Sequence, residues 1–360
     1  MKTLMNYRIK KLREEIKKRG LDALLVTSPP NRYYLLDIEN SIEGVCLITK
    51  NNAYFLTDFL YFEEASRCNI GTGNWSIKLV QQRTNKGLEE ILKYHNIRKL
   101  GIEPDYMSLS RYLDLKKIKK LKLLPVKNLV EALRIIKDRD EIRNIRRACA
   151  LTTKGFSYIL KIIKPGITER EIANKLDYFL KTYDDVAFST IVASGVRSSF
   201  PHAMPSEKRL CCGDAVVMDF GVKYKGYHAD FTRTIFIGKA DKKKISLYSL
   251  ILEAQKRAID KIKDGMPCKK VDSQARSLIE KKGYGKYFGH SLGHGVGRNI
   301  HEKPHLGKEN KSPLRENMVV TVEPAVYIPG RFGIRIEDTV LVKKNGCEIL
   351  TDFPKNITEI

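Results

Sequence analysis

Four acidic residues interrupt runs of sequence that are otherwise apolar and β-branched. Asp219 and Asp230 lie in AVVMDFGVKYKGYHADFTRTIFI (215–237), and Glu323 and Glu337 lie in TVEPAVYIPGRFGIRIEDTV (321–340). Such runs are expected to be buried sheet, where a carboxylate costs several kcal/mol unless it is paired or bound to a metal. With a turn at Lys225-Gly226, Asp230 stands across from Gly221, and the two-residue period of a strand puts both aspartates on one face of the hairpin. A single aspartate there would be expected to face solvent or cap a turn. Two on one face bring like charges together, and without a cation one would have to be protonated or the pair would destabilise the sheet. The segment FGHSLGHGVGRNIHEKPH (288–305) adds His290, His294 and His301 among Gly289, Gly293, Gly295 and Gly297. So many glycines argue against a regular helix, and hence against a helical zinc pair, and for a strand or loop of close backbone approach. Two aspartates, two glutamates and at least one histidine form an oxygen-rich donor set. It suits two divalent ions of the manganese, cobalt or zinc type bridged by carboxylates, not a thiolate-bound structural zinc.

The elements that must position these residues fall into two groups. In the first third, Ile9, Leu12 and Ile16 recur at helical spacing over 6–19, Gly20 ends the pattern, and DALLVT follows as a short buried strand. PPNRYYLL (29–36) reads as a turn into a short helix, and GVCLIT and NAYFLTD as a hairpin divided at Lys50-Asn51-Asn52. KGLEEILKYHNIRKLGIEP reads as a helix leading into a strand. This α/β module, assigned to 1–125, holds only His95 of the seven histidines; the other six lie between 202 and 305. The chemistry is therefore expected in 126–360, which opens with a long helix through EIRNIRRACALTTKGFSYILKII, stopped by Pro165-Gly166. Thr168 and Glu171 form a capping box for a second helix carrying Ile172, Leu176 and Phe179. Two more helices fit 243–263 and 270–282, the remainder is strand-like, and the fold class is α+β.

At 360 residues, 42% hydrophobic and 30% charged, the chain is expected to be a soluble globular protein of about two domains. The stretch MKTLMNYRIKKLREEIKKRG lacks the apolar run of a secretory signal, and nowhere is there the run of about eighteen apolar residues that a membrane span needs. The seven cysteines, at 46, 68, 149, 211, 212, 268 and 347, lack the paired spacing of a zinc site or a disulfide framework. They read as reduced, cytoplasmic thiols. A formal charge of +24 raises nucleic-acid binding, but the lysines alternate with acids, as in LREEIKKRG and KDRDEIRNIRR, and no aromatic residues are interleaved as stacking platforms. A solvated lysine-rich surface is the better reading, with no specific nucleic-acid partner. The densest cluster, LKKIKKLKLL (115–124), reads as a strand edge or helix flank.

The motifs MDFGVKYKGYHADFTRT, HSLGHGVGRNIHE, TVEPAVYI and GIRIEDTV, in that order, closely resemble the pita-bread metallopeptidases, in particular the Xaa-Pro aminopeptidase and Xaa-Pro dipeptidase (prolidase) branch. The resemblance covers nearly the whole chain. It implies a creatinase/prolidase-type N-terminal domain over 1–125 and a pita-bread catalytic domain over 126–360. Carried over to this chain, the dinuclear metal ligands fall on Asp219, Asp230, His294, Glu323 and Glu337, leaving His290 as a neighbour. His202, in VASGVRSSFPHAMPS, and His301 match substrate-side histidines, Tyr327 an active-site tyrosine, and Arg335 an arginine beside the last ligand. The chain departs from the family at Ala203, where glycine is frequent, and at Ser189, where an acid is frequent. Neither position touches a ligand, so the departures concern substrate fit.

The implied activity is hydrolysis of an Xaa-Pro bond, at the N-terminus of a peptide or within a dipeptide, by water activated at two divalent ions, manganese or cobalt first and zinc next. Glu323 would take the proton of that water, and His202 and His301 would stabilise the oxyanion or carry a proton to the proline nitrogen. Arg335 would orient Glu337 or Asp230, or bind a substrate carboxylate. A cytoplasmic homodimer acting on peptides with proline in second position, without membrane association, completes the expectation. A methionine aminopeptidase would share all the ligands but resembles only the catalytic part, and a creatinase-like amidinohydrolase would lack them. A non-catalytic pita-bread module that binds protein or nucleic acid is the rival suggested by the charge.

Overall fold

The structure is a computed structural model that describes residues 2–38, 42–68, 75–80 and 86–360. The chain divides into two compact units, Met1–Arg134 and Ile135–Ile360. In the first unit, the helix Lys2–Lys18 buries Ile9, Leu12 and Ile16 and ends at Gly20, whose φ of +64° lets Leu21 N–H turn back to the Ile16 carbonyl at 3.1 Å. A mixed sheet follows in the order Trp75–Leu79, Ala53–Thr57, Val45–Thr49, Ala23–Val26, Lys99–Ile102, Lys122–Pro125. The pairs 45–49/53–57 and 23–26/45–49 are antiparallel and the others parallel. The lysine cluster 115–124 straddles the end of the helix Leu109–Lys116 and the edge strand Lys122–Pro125. Lysines at a sheet edge discourage pairing with another chain.

The second unit is built from two helix pairs and antiparallel ladders. The helix Arg139–Ile159 starts from a capping box of Asp138 and Glu141. Its apolar pattern runs on to Ile163, but the helix itself stops at Ile159, and Ile163 is buried in the turn that leads to Pro165. The helix Glu169–Lys181 opens on the Thr168/Glu171 capping box. These two helices pack closely because Gly155 has no Cβ; one would lie 2.6 Å from Leu180 Cδ2. Their apolar faces, with Phe156, Leu176 and Leu180, cover Val216, Met218, Phe220 and Phe231 of an antiparallel sheet in the order Phe231–Phe236, Ala215–Phe220, Ile191–Ser194.

The second helix pair, Lys242–Ile259 and Cys268–Lys281, packs Leu247, Ile251, Val271 and Ile279 into one core with Val320, Val322, Val340 and Val342. Those valines belong to a five-stranded antiparallel sheet in the order Glu302–Leu306, Gly293–Gly295, Val319–Val322, Asp338–Lys343, Gly346–Ile349. A separate ladder pairs Ala325–Ile328 with Phe332–Arg335. Among the described residues no helix is long and apolar enough to cross a membrane.

Candidate metal centre

The 215–237 hairpin keeps one register along its length. Thr232 faces Asp219 and Phe231 faces Phe220 at one end, and Lys223 faces His228 and Tyr224 faces Tyr227 at the other. The turn is at Lys225 (φ +50°) and Gly226 (φ +74°), the positive pair that a two-residue hairpin loop needs. Asp230 therefore stands opposite Gly221, on the same face as Asp219. At Gly221 a Cβ would lie 1.9 Å from the Ala229 carbonyl oxygen, so glycine allows the strands to draw together beside the aspartates.

His294 sits in the middle of the strand Gly293–Gly295. Its flanking glycines approach neighbouring backbone: a Cβ on Gly293 would meet Thr321 O at 2.0 Å, and one on Gly295 would meet Lys303 O at 2.3 Å. His294 Nδ1 is 3.1 Å from the Gly295 carbonyl, which turns Nε2 toward Glu323 Oε1 (3.3 Å) and Asp230 Oδ2 (3.5 Å). Glu323 follows the strand Val319–Val322, and its Oε1 accepts from Thr321 Oγ1 at 3.1 Å. Glu337 lies between Phe332–Arg335 and Asp338–Lys343, with Oε2 accepting from Thr232 Oγ1 at 2.6 Å.

The structure thus gathers all the expected ligands at one place. Asp230 is 5% exposed and Glu337 1%. Burial, reinforced for Asp230 by Glu337 and for Glu337 by Glu323, pushes both carboxyls well above the usual range. Asp219 is also raised by burial, against the pull of Arg335. For Glu323, burial is outweighed by the hydrogen bond and charge of His294, which hold it down to about 2. His294 itself is raised, because Glu323 outweighs the effect of burial. Among the described residues, two buried carboxylate oxygens, Asp219 Oδ1 and Glu337 Oε1, have no hydrogen-bond partner, and donor atoms of Asp230, His294 and Glu337 lie within 4.8 Å of one another. Orphaned carboxylate oxygens beside an oriented imidazole fit a divalent cation of the manganese, cobalt or zinc type.

These groups line a cavity of about 770 Å³ that His202, His290, His301, His305, Tyr327 and Arg335 also reach, with Phe188 and Ile191 as apolar wall. The His301 ring lies edge-on to that of His294, with centroids 4.4 Å apart, and burial followed by the charge of His294 lowers its pKa. Tyr327 OH accepts from Arg335 Nη1 at 2.6 Å, and burial pushes its phenol up to about 12. Arg335 binds Asp219 through Nη2 at 2.5 Å, Thr232 Oγ1 through Nε at 3.1 Å and the Pro201 carbonyl through Nη1 at 3.2 Å. Its carboxylate partner is therefore Asp219, where the sequence suggested Glu337 or Asp230. His290, which lines the same cavity, has Nδ1 2.7 Å from the Ser291 carbonyl and Nε2 3.3 Å from Tyr327 OH.

Sequence reasoning missed Thr232, Thr321 and His305. Thr232 is two residues beyond Asp230, which immediately precedes the strand Phe231–Phe236, so the period of two could have found it. His305 is the cross-strand partner of His294, a pairing visible only once the strands are in register.

The pattern of metallopeptidase family M24 matches residues 143–344, more than half of the chain. The chain belongs to this family. The creatinase/prolidase N-terminal domain matches residues 8–136, so this M24 peptidase has both parts of the two-domain plan, with the pita-bread fold in its C-terminal part. It is 39% identical to the Xaa-Pro dipeptidase of Pyrococcus horikoshii, over 98% of this chain and 99% of that one. Among solved structures it resembles the Xaa-Pro dipeptidase from Bacillus anthracis (TM-score 0.95, 38% identity, 99% and 100% of the two chains). It also resembles the X-Pro aminopeptidase from Thermotoga maritima (TM-score 0.88, 36% identity, 95% and 98%). As an M24 metallopeptidase it uses divalent metal, which the donor set accommodates.

Proposed function

We propose that this M24 peptidase hydrolyses Xaa-Pro bonds, at the N-terminus of peptides or within dipeptides, with two divalent ions held by Asp219, Asp230, His294, Glu323 and Glu337. The observation that carries the reading is the buried donor set with its orphaned carboxylate oxygens at the floor of a cavity large enough for a short peptide. The names of the relatives support the choice of bond. Divalent ions held there, manganese or cobalt first and zinc next, would supply an acidified water and polarise a carbonyl.

The chain's own groups do the rest. Glu323, which follows the strand Val319–Val322 and lines the cavity, would accept the proton of the attacking water. Cleavage of a tertiary amide releases a secondary amine that must gain a proton. His202 and His301 line the cavity from which that proton can be delivered, and their imidazoles can also donate to the developing oxyanion. Tyr327, its phenol kept protonated by burial, remains a hydrogen-bond donor over the working pH range. Arg335 fixes Asp219, Tyr327 and the Pro201 carbonyl at once, so it orders one wall of the site. Phe188 and Ile191 offer an apolar surface to a ring that has no N–H. A homodimer in the cytoplasm is part of the same reading, checked for assembly by light scattering.

The deciding assay sets Xaa-Pro dipeptides beside Xaa-Pro-Yaa tripeptides, with manganese, with cobalt and with chelator. Turnover only with metal is expected, and Asp230→Ala should abolish it while leaving the circular dichroism spectrum unchanged. No turnover of either substrate class with either metal would sink the proposal.

A further inference from the structure

We propose that Glu169 is a positioning residue for His202, a claim that rests on His202 acting at the substrate as set out above. Glu169 is the first residue of the helix Glu169–Lys181 and is fully buried, an unusual place for a carboxylate. Its two oxygens are divided between the two ends of the segment that carries His202. Oε1 accepts from the backbone N–H and the hydroxyl of Ser194, both at 2.8 Å. Oε2 accepts from the backbone N–H of Ser206 at 3.1 Å, its hydroxyl at 2.7 Å and Arg197 Nε at 3.0 Å. Arg197 in turn donates from Nη2 to the Met204 carbonyl at 2.5 Å. One side chain thus closes the base of the 195–205 loop, and the positive end of the helix dipole favours its charge there.

His202 needs such support. Its side chain is exposed and makes no hydrogen bond among the described residues, so its position follows from the backbone that carries it. That backbone is a short 3-10 turn, Gly195–Ser199, followed by irregular chain. Away from its base the loop is held by Arg335 at the Pro201 carbonyl and by Gly333 N–H, which donates to Ser198 Oγ at 2.9 Å. Glu169 touches neither a metal ligand nor the cavity, so it acts on the reaction through the loop.

The test uses Glu169→Gln. Each carboxylate oxygen faces a backbone N–H, and an amide can accept from only one of them, so the substitution opens one end of the loop while keeping its volume. Glu169→Gln, His202→Ala and the double variant are assayed on Xaa-Pro substrates with manganese. Each single change is expected to lower kcat/KM by about tenfold or more, since small misplacement of a positioned group costs up to about a hundredfold. The double variant should fall within about twofold of His202→Ala, with manganese affinity near that of the parent. Amide hydrogen exchange should accelerate across 195–206 and not in the helix Lys242–Ile259. Multiplying effects in the double variant, or unchanged exchange across 195–206, would overturn the inference. Failure of the parent to cleave Xaa-Pro bonds would remove the functional reading alone, and exchange would then decide the positioning. If Glu169→Gln does not fold, Ser206→Ala with Arg197→Gln removes donors from one oxygen and should show the same pattern more weakly.

Discussion

Asp219, Asp230, Glu323 and Glu337 share one buried site, where Arg335 pairs with Asp219 and His294 lies against Glu323, and that crowding of carboxylates sets how the metal-free protein responds to pH. Glu337 and Asp230 have folded pKa values raised by burial first and then by the neighbouring carboxylates. A carboxyl raised in this way destabilises the fold at pH above its folded value. The penalty is relieved as pH falls through that value toward the ordinary carboxylate range near about 4. Glu337→Gln should therefore stabilise the metal-free protein at neutral and alkaline pH, by a few degrees in Tm. Its amide can accept from Thr232 and donate toward Asp230. The gain should shrink as pH is lowered, and scanning calorimetry with chelator reads it. A gain that grows toward acid would contradict the assignment. With manganese the sign reverses, because binding requires the ionised ligands and so tightens as pH rises.

The helices that back the site obey local rules, and there the sequence was most informative. Thr168 and Glu171 announce a helix start that the structure places at Glu169, with Thr168 Oγ1 accepting from the Glu171 N–H at 3.0 Å. Thr168→Ala should cost about 1 kcal/mol, the usual worth of such a cap. Urea unfolding should show a lower midpoint at unchanged slope, and an unchanged midpoint would mean that tertiary contacts alone set this end of the helix. The glycine spacing of 288–305 likewise pointed to strand or loop over helix, because close backbone approach leaves a compositional trace. Other features leave a fainter one. The box of Asp138 and Glu141 at the start of Arg139–Ile159 went unread, its cap being Asp where Thr168 supplies the hydroxyl form. Choosing His294 over His290 took the family pattern, because both lie in HSLGH and only the sheet decides which ring faces the carboxylates. The pairing of Arg335 with Asp219 joins residues 116 apart and belongs to tertiary structure alone.

At the scale of the whole chain, a strongly basic protein encloses a strongly acidic site. Bases outnumber acids 66 to 42, and many of the acids sit in helical pairs such as Lys18 with Glu15, Lys93 with Glu89 and Lys117 with Asp114. Exposed pairs of this kind add little to stability, so the surplus charge matters for encounter with other molecules more than for the fold. A peptide substrate presents an ammonium at one end and a carboxylate at the other. With two divalent ions bound, the charge of the site's carboxylates is balanced, and the basic exterior favours approach of acidic chains. Peptides with acidic residues beyond the proline should therefore have a higher kcat/KM than otherwise matched basic peptides at low salt. The advantage should fade toward about 0.5 M salt, where screening acts over only a few ångströms. Dispersed lysines also predict elution from heparin well below about 1 M salt, because salt competes with every anionic group that they engage. Retention at that salt by a protein inactive on every Xaa-Pro substrate would instead mark the charge as a binding face, whereas a preference for acidic peptides that vanishes with salt assigns it to capturing substrate.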